Sequence, residues 1–296
     1  MHNNANNNKT APSRVLVTGA AGMLGQAVVK RLGKVALPMT RGDADLANAA
    51  ATIEFIERAA PDVIVHCAAW TDVDGCEADA DRAFRDNGLA ARNVAIAAQR
   101  LDAAMCYVST DYVFDGSKNT PYREYDPPAP LGVYGRSKRW GEEAVQALVR
   151  KHWIVRTSWL FGPGGKNFVQ TMHGLLMDRD SVKVVDDQRG SPTFTGHLAE
   201  ALIDLVRTPF YGTYHVSNSG SCSWFELAQR IAQNMDSSCK LTPCTTAEFP
   251  RPAARPRNSV LDPFAWRTNG LAALPTWQEG VDAYLRTLVA AGVKKR

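Results

Sequence analysis

The sequence predicts an α/β protein in which helices cover both faces of a doubly wound parallel sheet, followed by a smaller C-terminal lobe. Three observations predict it: continuous apolar runs of strand length, helical patterns that alternate with them, and a glycine-rich turn between the first run and the first helix. Continuous rather than alternating apolar strands indicate that both faces of the sheet are buried. Right-handed crossovers then make the sheet doubly wound.

Predicted strands and helices alternate through about residue 180. The predicted strands are RVLVT (14–18), KVALP (34–38), DVIVHCAA (62–69), AMCYVS (104–109) and HWIVRTS (152–158). The helical patterns cover 23–32, 51–60, 78–100 and 135–150. This order is typical of repeated βαβ units.

Loops become more frequent after Trp159. They include FGPGGKN, DDQRGSPTFTG and FPRPAARPRNS, between short helical patterns at 195–207, 223–235 and 276–290. We therefore divide the chain into a polar, Asn-rich tail that we expect to be disordered (1–12), the doubly wound domain (13–158, to which a later segment could return) and mainly the smaller lobe (159–296). The cleft between domain and lobe is the expected ligand site.

The composition excludes several classes of function. The net charge of +4 is spread along the chain, which argues against nucleic acid and against an anionic membrane surface as partners. No apolar run reaches the roughly 18–20 residues that span a bilayer. Six scattered cysteines without CxxC pairs indicate reduced thiols, a cytoplasmic protein and no metal site.

A glycine turn directly follows the first predicted strand. Gly19, Gly22 and Gly25 have the spacing GxxGxxG. Such a turn lets the backbone approach a pyrophosphate at a helix N-terminus, where free N–H groups favour anions. Glycine turns also occur for packing reasons, but the βαβ context predicts a dinucleotide.

The segment after the second strand bears on which dinucleotide binds. It reads PMTRGDADL, so Arg41 comes first, and its planar fork suits a ribose 2′-phosphate. Asp43 and Asp45 could instead accept from a free 2′-hydroxyl. NADPH is therefore the predicted cofactor, NADH stays possible, and Arg41 could also be a solvated loop residue.

The segment from residue 107 to 143 carries the candidate catalytic residues. Thr110 ends an apolar strand, and Tyr134 and Lys138 lie one helical turn apart on one face. A free phenol has a pKa near 10, and a nearby ammonium would lower it, which would make Tyr134 a usable acid. Thr110 could bind the substrate oxygen on which charge develops. A tyrosine four residues before a lysine also occurs by chance on many helices.

Seven segments together carry a family resemblance: VLVTGAAGMLG, AAWTDVDGCE, STDYVFDG, VYGRSK, VRTSWLFG, DDQRGSPT and ARPRNSVLD. With these, the chain resembles the extended short-chain dehydrogenase/reductases, and among them the dTDP-4-dehydrorhamnose reductases. The resemblance implies a Rossmann-like sheet with a substrate-binding lobe. It also implies NAD(P)H-dependent reduction of dTDP-4-dehydro-6-deoxy-L-mannose to dTDP-L-rhamnose, the last step of dTDP-rhamnose biosynthesis. Met23 stands where the family often has Gln.

The resemblance also implies roles for single residues. Tyr134 would donate the proton, Lys138 would support it and bind the nicotinamide ribose, and Thr110 would orient the keto group. The implied cofactor contacts are Gly19, Gly22, Met23, Leu24, Gly25, Arg41, Asp45, Leu46, Cys67, Ala68, Ala69, Tyr134 and Lys138. The implied contacts to the dTDP-sugar are Thr71, Val73, Asp74, Thr110, Asp111, Trp159, Asn167, Arg189, Ser191 and Arg255.

The weaker assignments also have explanations that involve no contact with substrate. Asp74 and Glu77 could be solvated acids, Arg189 and Arg255 exposed loop residues, and Trp159 an aromatic residue at a domain junction. Asn87 could support the site through backbone bonds or simply lie within a helix. The same motifs also fit a reductase or epimerase of another nucleotide sugar, or a non-catalytic regulatory subunit like that of methionine adenosyltransferase. Monomer and homodimer both stay open.

Overall fold

The predicted parallel sheet is the centre of the computed structural model, which describes residues 12–290. The strands are β1 (Val15–Thr18), β2 (Ala36–Met39), β3 (Val63–His66), β4 (Ala104–Thr110), β5 (His152–Thr157), β6 (Leu160–Phe161), β7 (Ser181–Val185), β8 (Arg189–Gly190), β9 (Thr193–Phe194), β10 (Gly212–His215), β11 (Cys222–Ser223) and β12 (Lys240–Cys244). Six of them pair in parallel in the order β10-β5-β4-β3-β1-β2. The predicted fold class is confirmed.

Helices cover both faces of this sheet. They are α1 (Met23–Leu32), α2 (Ala49–Ala59), α3 (Val73–Ala78), α4 (Ala80–Ala83), α5 (Ala90–Arg100), α6 (Val133–Leu148), α7 (Phe168–Asp178), α8 (Thr195–Val206), α9 (Trp224–Asn234), α10 (Phe264–Thr268) and α11 (Trp277–Ala290). In the described range, no helix combines the length and the apolar character that a membrane span requires.

Alternate residues of each central strand point to opposite faces. Val63 and Val65 lie in one core with residues of α1 and α8. Ile64 lies in the other core, with residues of α2, α5 and α6. Because both sets are apolar, the strands appear in the sequence as continuous runs, which is why the fold class was predictable.

The segment predicted as one helix, 78–100, is divided in the structure. A wide π turn, Phe84–Leu89, separates α4 from α5. Within this turn, the Asn87 side-chain amide forms two hydrogen bonds with the backbone of Trp70, a residue that lies outside the helix. Gly88 lies so close to Trp140 that a Cβ there would come within 1.9 Å of the indole ring. Both contacts are tertiary, and the helical periodicity carries no sign of them.

The smaller lobe has a core of its own. Strands β7 and β12 pair in parallel, and α7, α9 and α11 pack around them. The sequence indicated α9 and α11 but not α7 or this strand pair. After the lobe begins, β10 returns to the edge of the main sheet beside β5. Residues 1–11 of the predicted disordered tail lie outside the described residues.

Replacement of Ile64 by Ala should lower the free energy of unfolding by about 3 kcal/mol, because its side chain is fully buried in a central strand. The matched control is Ile53→Ala in α2, whose side chain is only partly buried, with an expected loss of about 1 kcal/mol. Urea denaturation of both variants measures the difference. Equal losses would contradict the placement of Ile64 in the core.

Candidate active site

Helix α6 is attached to strand β4 by contacts from four successive strand residues. The Tyr107 hydroxyl donates to the carbonyl of Lys138 at 3.1 Å. The Lys138 ammonium donates to the carbonyl of Val108 at 2.7 Å. Ser109 donates to Glu142 at 2.6 Å, and the Thr110 hydroxyl lies close to the Tyr134 phenol. The helix face that carries Tyr134 and Lys138 is thereby held against the carboxyl end of the sheet.

The start of α6 is set by a carboxylate from another element. Glu77, next to last in α3, accepts from the first helical N–H, that of Val133, at 2.6 Å. The preceding Gly132 offers no side chain as a cap, and a Cβ there would lie 2.6 Å from the Glu77 oxygen. A negative charge at a helix N-terminus is stabilising. Glu77 is thus a helix anchor rather than a solvated acid.

Tyr134 and Lys138 are both buried, and burial dominates their titration. Burial lowers the pKa of Lys138 to about 7, with Glu142 acting in the opposite direction. Burial raises the pKa of Tyr134 well above its ordinary value, with the nearby Thr110 hydroxyl acting in the opposite direction and Asp111 adding to the rise. The expectation that Lys138 lowers the pKa of Tyr134 was wrong, because loss of solvent outweighs the other influences on the phenol.

Asp111 lies beside this cluster, and 2% of its surface is exposed. One carboxyl oxygen accepts from Thr110 at 3.1 Å, and the nearby Ser259 hydroxyl favours the ionised form of the carboxyl. The other oxygen has no hydrogen-bond partner in the described structure. Burial raises the pKa of Asp111 to about 7, so a carboxyl group that can hold a proton near neutrality adjoins Thr110 and Tyr134.

The glycine turn forms one wall of a cavity of about 250 Å³. Gly19 has φ +65°, and a Cβ on it would lie 2.7 Å from the backbone of Ala68. A Cβ on Gly25 would lie 2.1 Å from the Gly19 carbonyl. Gly22 caps α1 without a side-chain acceptor, so the first N–H groups of the helix stay available to an anion. The turn therefore fits a dinucleotide pyrophosphate.

Eight of the thirteen predicted cofactor residues line this cavity, whereas Met23, Leu24, Gly25, Tyr134 and Lys138 do not. The lining includes Gly19, Gly22, Arg41, Asp45, Leu46, Cys67, Ala68 and Ala69. The side chain of Leu24 packs in the core with α8 instead. Met23 extends toward the smaller lobe, where its sulfur lies 3.8 Å from the Asn167 amide nitrogen.

Of the residues predicted to contact the ribose 2′-position, Arg41 has the side chain least restrained by protein partners. Its side chain is 82% exposed at the cavity rim, and its nearest carboxylate, that of Asp86, lies 3.9 Å away. Asp43 accepts from the backbone and hydroxyl of Thr40, and Asp45 accepts from the N–H of Ala47. Because both acids have local partners, the guanidinium is the group that suits an incoming 2′-phosphate.

Two predicted sugar contacts bind each other. Arg255 donates to Asp74 at 2.8 Å, and Asp74 also accepts from the N–H of Ala253 at 3.1 Å. Arg255 also lies near Tyr112, whose ring meets that of Tyr134 edge-on at 5.9 Å. The pair thus joins the late loop to α3 beside the cluster. Of the neighbouring predictions, Val73 packs near Tyr134 and Thr71 is exposed.

Trp159 stands at the junction between sheet and lobe in a strained conformation. Its φ of +48° is rare for a bulky residue. The indole stacks on that of Trp224 at 3.5 Å between ring centroids, and a Cβ on Gly190 would lie 2.4 Å from it. Local strain that the surroundings maintain is found most often at functional sites.

The other lobe residues predicted to contact substrate have protein partners. Asn167 caps α7, and its amide donates to the carbonyls of Gly162 and Gly165. Ser191 is buried, and its carbonyl accepts from Ser158 at 2.6 Å. Arg189 pairs with Glu226 at 3.2 Å and lines a separate cavity of about 590 Å³.

Several residues of the site were missed or left open by sequence reasoning. Asn87 does support the site through backbone bonds, since it holds Trp70 and donates to Ser137 at 2.9 Å. Glu142 and its partner Arg156 were missed. The only signal for Glu142 was its position eight residues after Tyr134, on the same helical face. Between residues 12 and 290, no group of three His, Cys, Asp or Glu side chains is placed to hold a metal ion.

The glycine turn and the buried Thr–Tyr–Lys cluster define a dinucleotide-dependent reductase of the short-chain dehydrogenase/reductase class. Residues 13–290 match the family model described as the RmlD substrate binding domain. The chain belongs to this family, that of the dTDP-4-dehydrorhamnose reductases which its motifs resemble.

Named relatives cover nearly the whole chain. A dTDP-4-dehydrorhamnose reductase of Streptomyces griseus is 42% identical over 90% of this chain and 90% of its own length. The spore coat polysaccharide biosynthesis protein SpsK of Bacillus subtilis is 40% identical over 93% of this chain and 97% of its own. The crystal structure of the Bacillus anthracis dTDP-4-dehydrorhamnose reductase in complex with NADP has a TM-score of 0.91 and 41% identity. It covers 93% of this chain and 99% of its own.

Replacement of Asp111 by Asn should change how stability depends on pH. Because the folded-state pKa of Asp111 is raised to about 7, the folded protein binds this proton more tightly than the unfolded chain. The wild-type carboxyl therefore costs stability as the pH rises from the ordinary carboxyl range through about 7. Urea denaturation between about pH 4.5 and about pH 7.5 should show the variant gaining stability relative to wild type. A relative stability that stays constant or falls over this interval would contradict the assignment.

Proposed function

We propose that the protein catalyses NAD(P)H-dependent reduction of the 4-keto group of dTDP-4-dehydro-6-deoxy-L-mannose, which yields dTDP-L-rhamnose and completes dTDP-rhamnose biosynthesis. The observation that carries the proposal is the cluster of Thr110, Tyr134 and Lys138 at the carboxyl end of β4, at the edge of the sheet where the dinucleotide cavity opens. In this reaction the carbonyl carbon gains a hydride and the carbonyl oxygen gains a proton.

Tyr134 donates the proton to the developing alkoxide. The raised pKa of this phenol suits the role, because reduction consumes the protonated form and burial keeps Tyr134 protonated at neutral pH. Thr110 orients the keto oxygen and stabilises charge on it. Lys138 supplies a positive charge near that oxygen and binds the nicotinamide ribose.

NADPH is the proposed cofactor and supplies the hydride when bound, which leaves binding and electrostatics to the protein. The glycine turn would hold its pyrophosphate and Arg41 its 2′-phosphate. The similar reductase of Bacillus anthracis is described in complex with NADP, which supports this choice. NADH is the alternative cofactor, because Asp45 would accept a hydrogen bond from its free ribose 2′-hydroxyl.

The nucleotide sugar is proposed to lie between the Tyr134 cluster and the smaller lobe. Asp111 adjoins the keto group, and Trp159 contacts the sugar ring. Arg255 and Asp74 close the neighbouring wall. Asn167, Arg189 and Ser191 are proposed contacts to the diphosphate or the base, with Thr71 and Val73 along the entrance.

We further propose that the enzyme works in the cytoplasm, as a monomer or homodimer. All six cysteines are unpaired thiols in the structure, which suits a reducing compartment. Light scattering of the purified protein, with and without NADPH, distinguishes the two assembly states.

Replacement of Tyr134 by Phe should lower kcat about 100-fold or more, since a positioned acid contributes roughly that factor. The measurement is NADPH oxidation with the enzymatically prepared 4-keto sugar. NADPH affinity should change by no more than about twofold, because the binding turn is intact. The matched control is Tyr125→Phe, which alters a 64% exposed phenol and should leave kcat unchanged.

Equal rates for Tyr134→Phe and wild type would refute the assigned acid. A wild-type protein that reduces or epimerises a UDP- or GDP-sugar but not the dTDP-sugar would favour the second reductase reading. A protein that binds NADPH yet turns over none of these sugars would favour the regulatory reading.

Replacement of Gly25 by Ala should raise the Kd for NADPH at least about tenfold. The new Cβ would lie 2.1 Å from the Gly19 carbonyl, so the turn must open at the pyrophosphate position. The matched control is Gly174→Ala in α7, where a Cβ meets nothing within 4 Å. This control should bind NADPH normally and gain about 0.5–1 kcal/mol of stability. Unchanged NADPH affinity of Gly25→Ala would contradict the assignment of the pyrophosphate site to this turn.

A further inference from the structure

Three chemically active residues lie on one face of α6 at intervals of four. They are Tyr134, Lys138 and Glu142. The proposed reaction uses the first two and assigns nothing to the third. Glu142 is fully buried, which is rare for a glutamate and requires compensation.

Glu142 obtains that compensation from three elements. Arg156 on β5 donates through Nε at 2.9 Å and Nη2 at 2.8 Å. Ser109 on β4 donates at 2.6 Å, and Arg139 on α6 donates at 2.8 Å. These hydrogen bonds outweigh burial and lower the pKa of Glu142, so the buried carboxylate stays ionised.

Such an arrangement is an inefficient way to stabilise a core. Burying two ions costs several kcal/mol per ion before their attraction is counted, and apolar residues of similar size often do as well. Arg156 is 3% exposed, and its Nη1 has no partner in the described structure. Stability alone therefore does not account for the buried pair. The neighbouring Lys138 ammonium is the group on which Glu142 can act.

The charged and titratable groups that face Lys138 come from three elements. His66 and Cys67 come from β3 and the residue after it, Tyr107 comes from β4, and Glu142 and Tyr134 come from α6. Burial lowers the pKa of His66 to about 3 and raises that of Cys67 to about 12, so both are neutral at pH 7. The Tyr107 and Tyr134 phenols have raised pKa values and are neutral too. Of these groups, Glu142 alone carries a negative charge.

We propose that Glu142 is a positioning residue for Lys138. Its carboxylate, fixed by Arg156 and Ser109, keeps the Lys138 ammonium charged and bound to the Val108 carbonyl. Burial alone drives Lys138 toward the neutral amine, and Glu142 opposes this. The inference rests on the proposed function, since it assumes that the charged form of Lys138 supports Tyr134.

The test is the pH dependence of kcat for Glu142→Gln, which keeps the shape of the side chain and removes its charge. Loss of the carboxylate should shift the alkaline fall in kcat to lower pH by about one unit. At about pH 8 the variant should be about tenfold slower than wild type, and at about pH 5.5 within about twofold. The matched control is Glu143→Gln, the next residue, whose 53% exposed carboxylate also pairs with Arg139. Its profile should coincide with that of wild type.

A purely structural Glu142 would behave differently. Glu142→Gln would then lose the same factor in kcat at every pH, and this result would overturn the proposal. Glu142→Asp retains the charge and should return the alkaline fall toward its wild-type position, even if kcat itself is lower. Failure of Asp to restore it would also count against the proposal.

Two further measurements distinguish failure of the proposal from misfolding of the variant and from a wrong choice of substrate. If Glu142→Gln does not fold because Arg156 is left unpaired, the double variant Glu142→Gln with Arg156→Gln removes both ions together. It should shift the alkaline fall in the same direction by less than about one unit, because loss of the Arg156 cation offsets part of the loss of the carboxylate. Titration of the Lys138 side chain, followed by NMR of isotope-labelled lysine and assigned by comparison with Lys138→Arg, needs no substrate. Its midpoint should fall by about one unit in Glu142→Gln. An unchanged midpoint refutes the inference, whereas a shifted midpoint without turnover of the dTDP-sugar refutes only the proposed function.

Discussion

The attachment of helix α6 to strand β4 is the constraint on which the site depends. The Tyr107 hydroxyl donates to the helix backbone, and the Ser109 hydroxyl donates to the Glu142 carboxylate. The Val108 carbonyl accepts from the Lys138 ammonium. Each contact is buried, so a loss leaves an unsatisfied polar group rather than a hydrated one. A helix that is hydrogen-bonded to three successive strand residues can neither slide nor rotate without breaking these bonds. Tyr134 therefore has a defined position relative to the sheet edge.

Burial determines the charge state of this region. It moves Tyr134, Lys138 and Asp111 toward their neutral forms, because a low-dielectric environment penalises charge. The Glu142 carboxylate remains ionised because Arg156 donates two hydrogen bonds to it. The site thus places two groups that titrate near neutrality, Lys138 and Asp111, beside one ion pair, an arrangement typical of acid–base chemistry.

The smaller lobe is joined to the sheet at a point of backbone strain. Trp159 follows β5 with a positive φ, and its ring packs on Trp224 from α9. The Arg255–Asp74 pair makes a second connection, between the late loop and α3. Both connections border the region where the proposed substrate would lie, so the lobe is positioned by residues of the candidate site itself.

The sequence by itself determined the parallel sheet, the helices of the first domain, the glycine turn and the pairing of Tyr134 with Lys138. Each of these is encoded locally, in apolar periodicity, in glycine spacing or in the four-residue repeat of a helix. Only the tertiary structure decided what depends on residues far apart in the chain. Glu142 needs Arg156 from a neighbouring strand, and Asp74 binds Arg255, 181 positions later. The pKa of Tyr134 also depends on every element that excludes water from it, and so it rose where the local pattern predicted a fall.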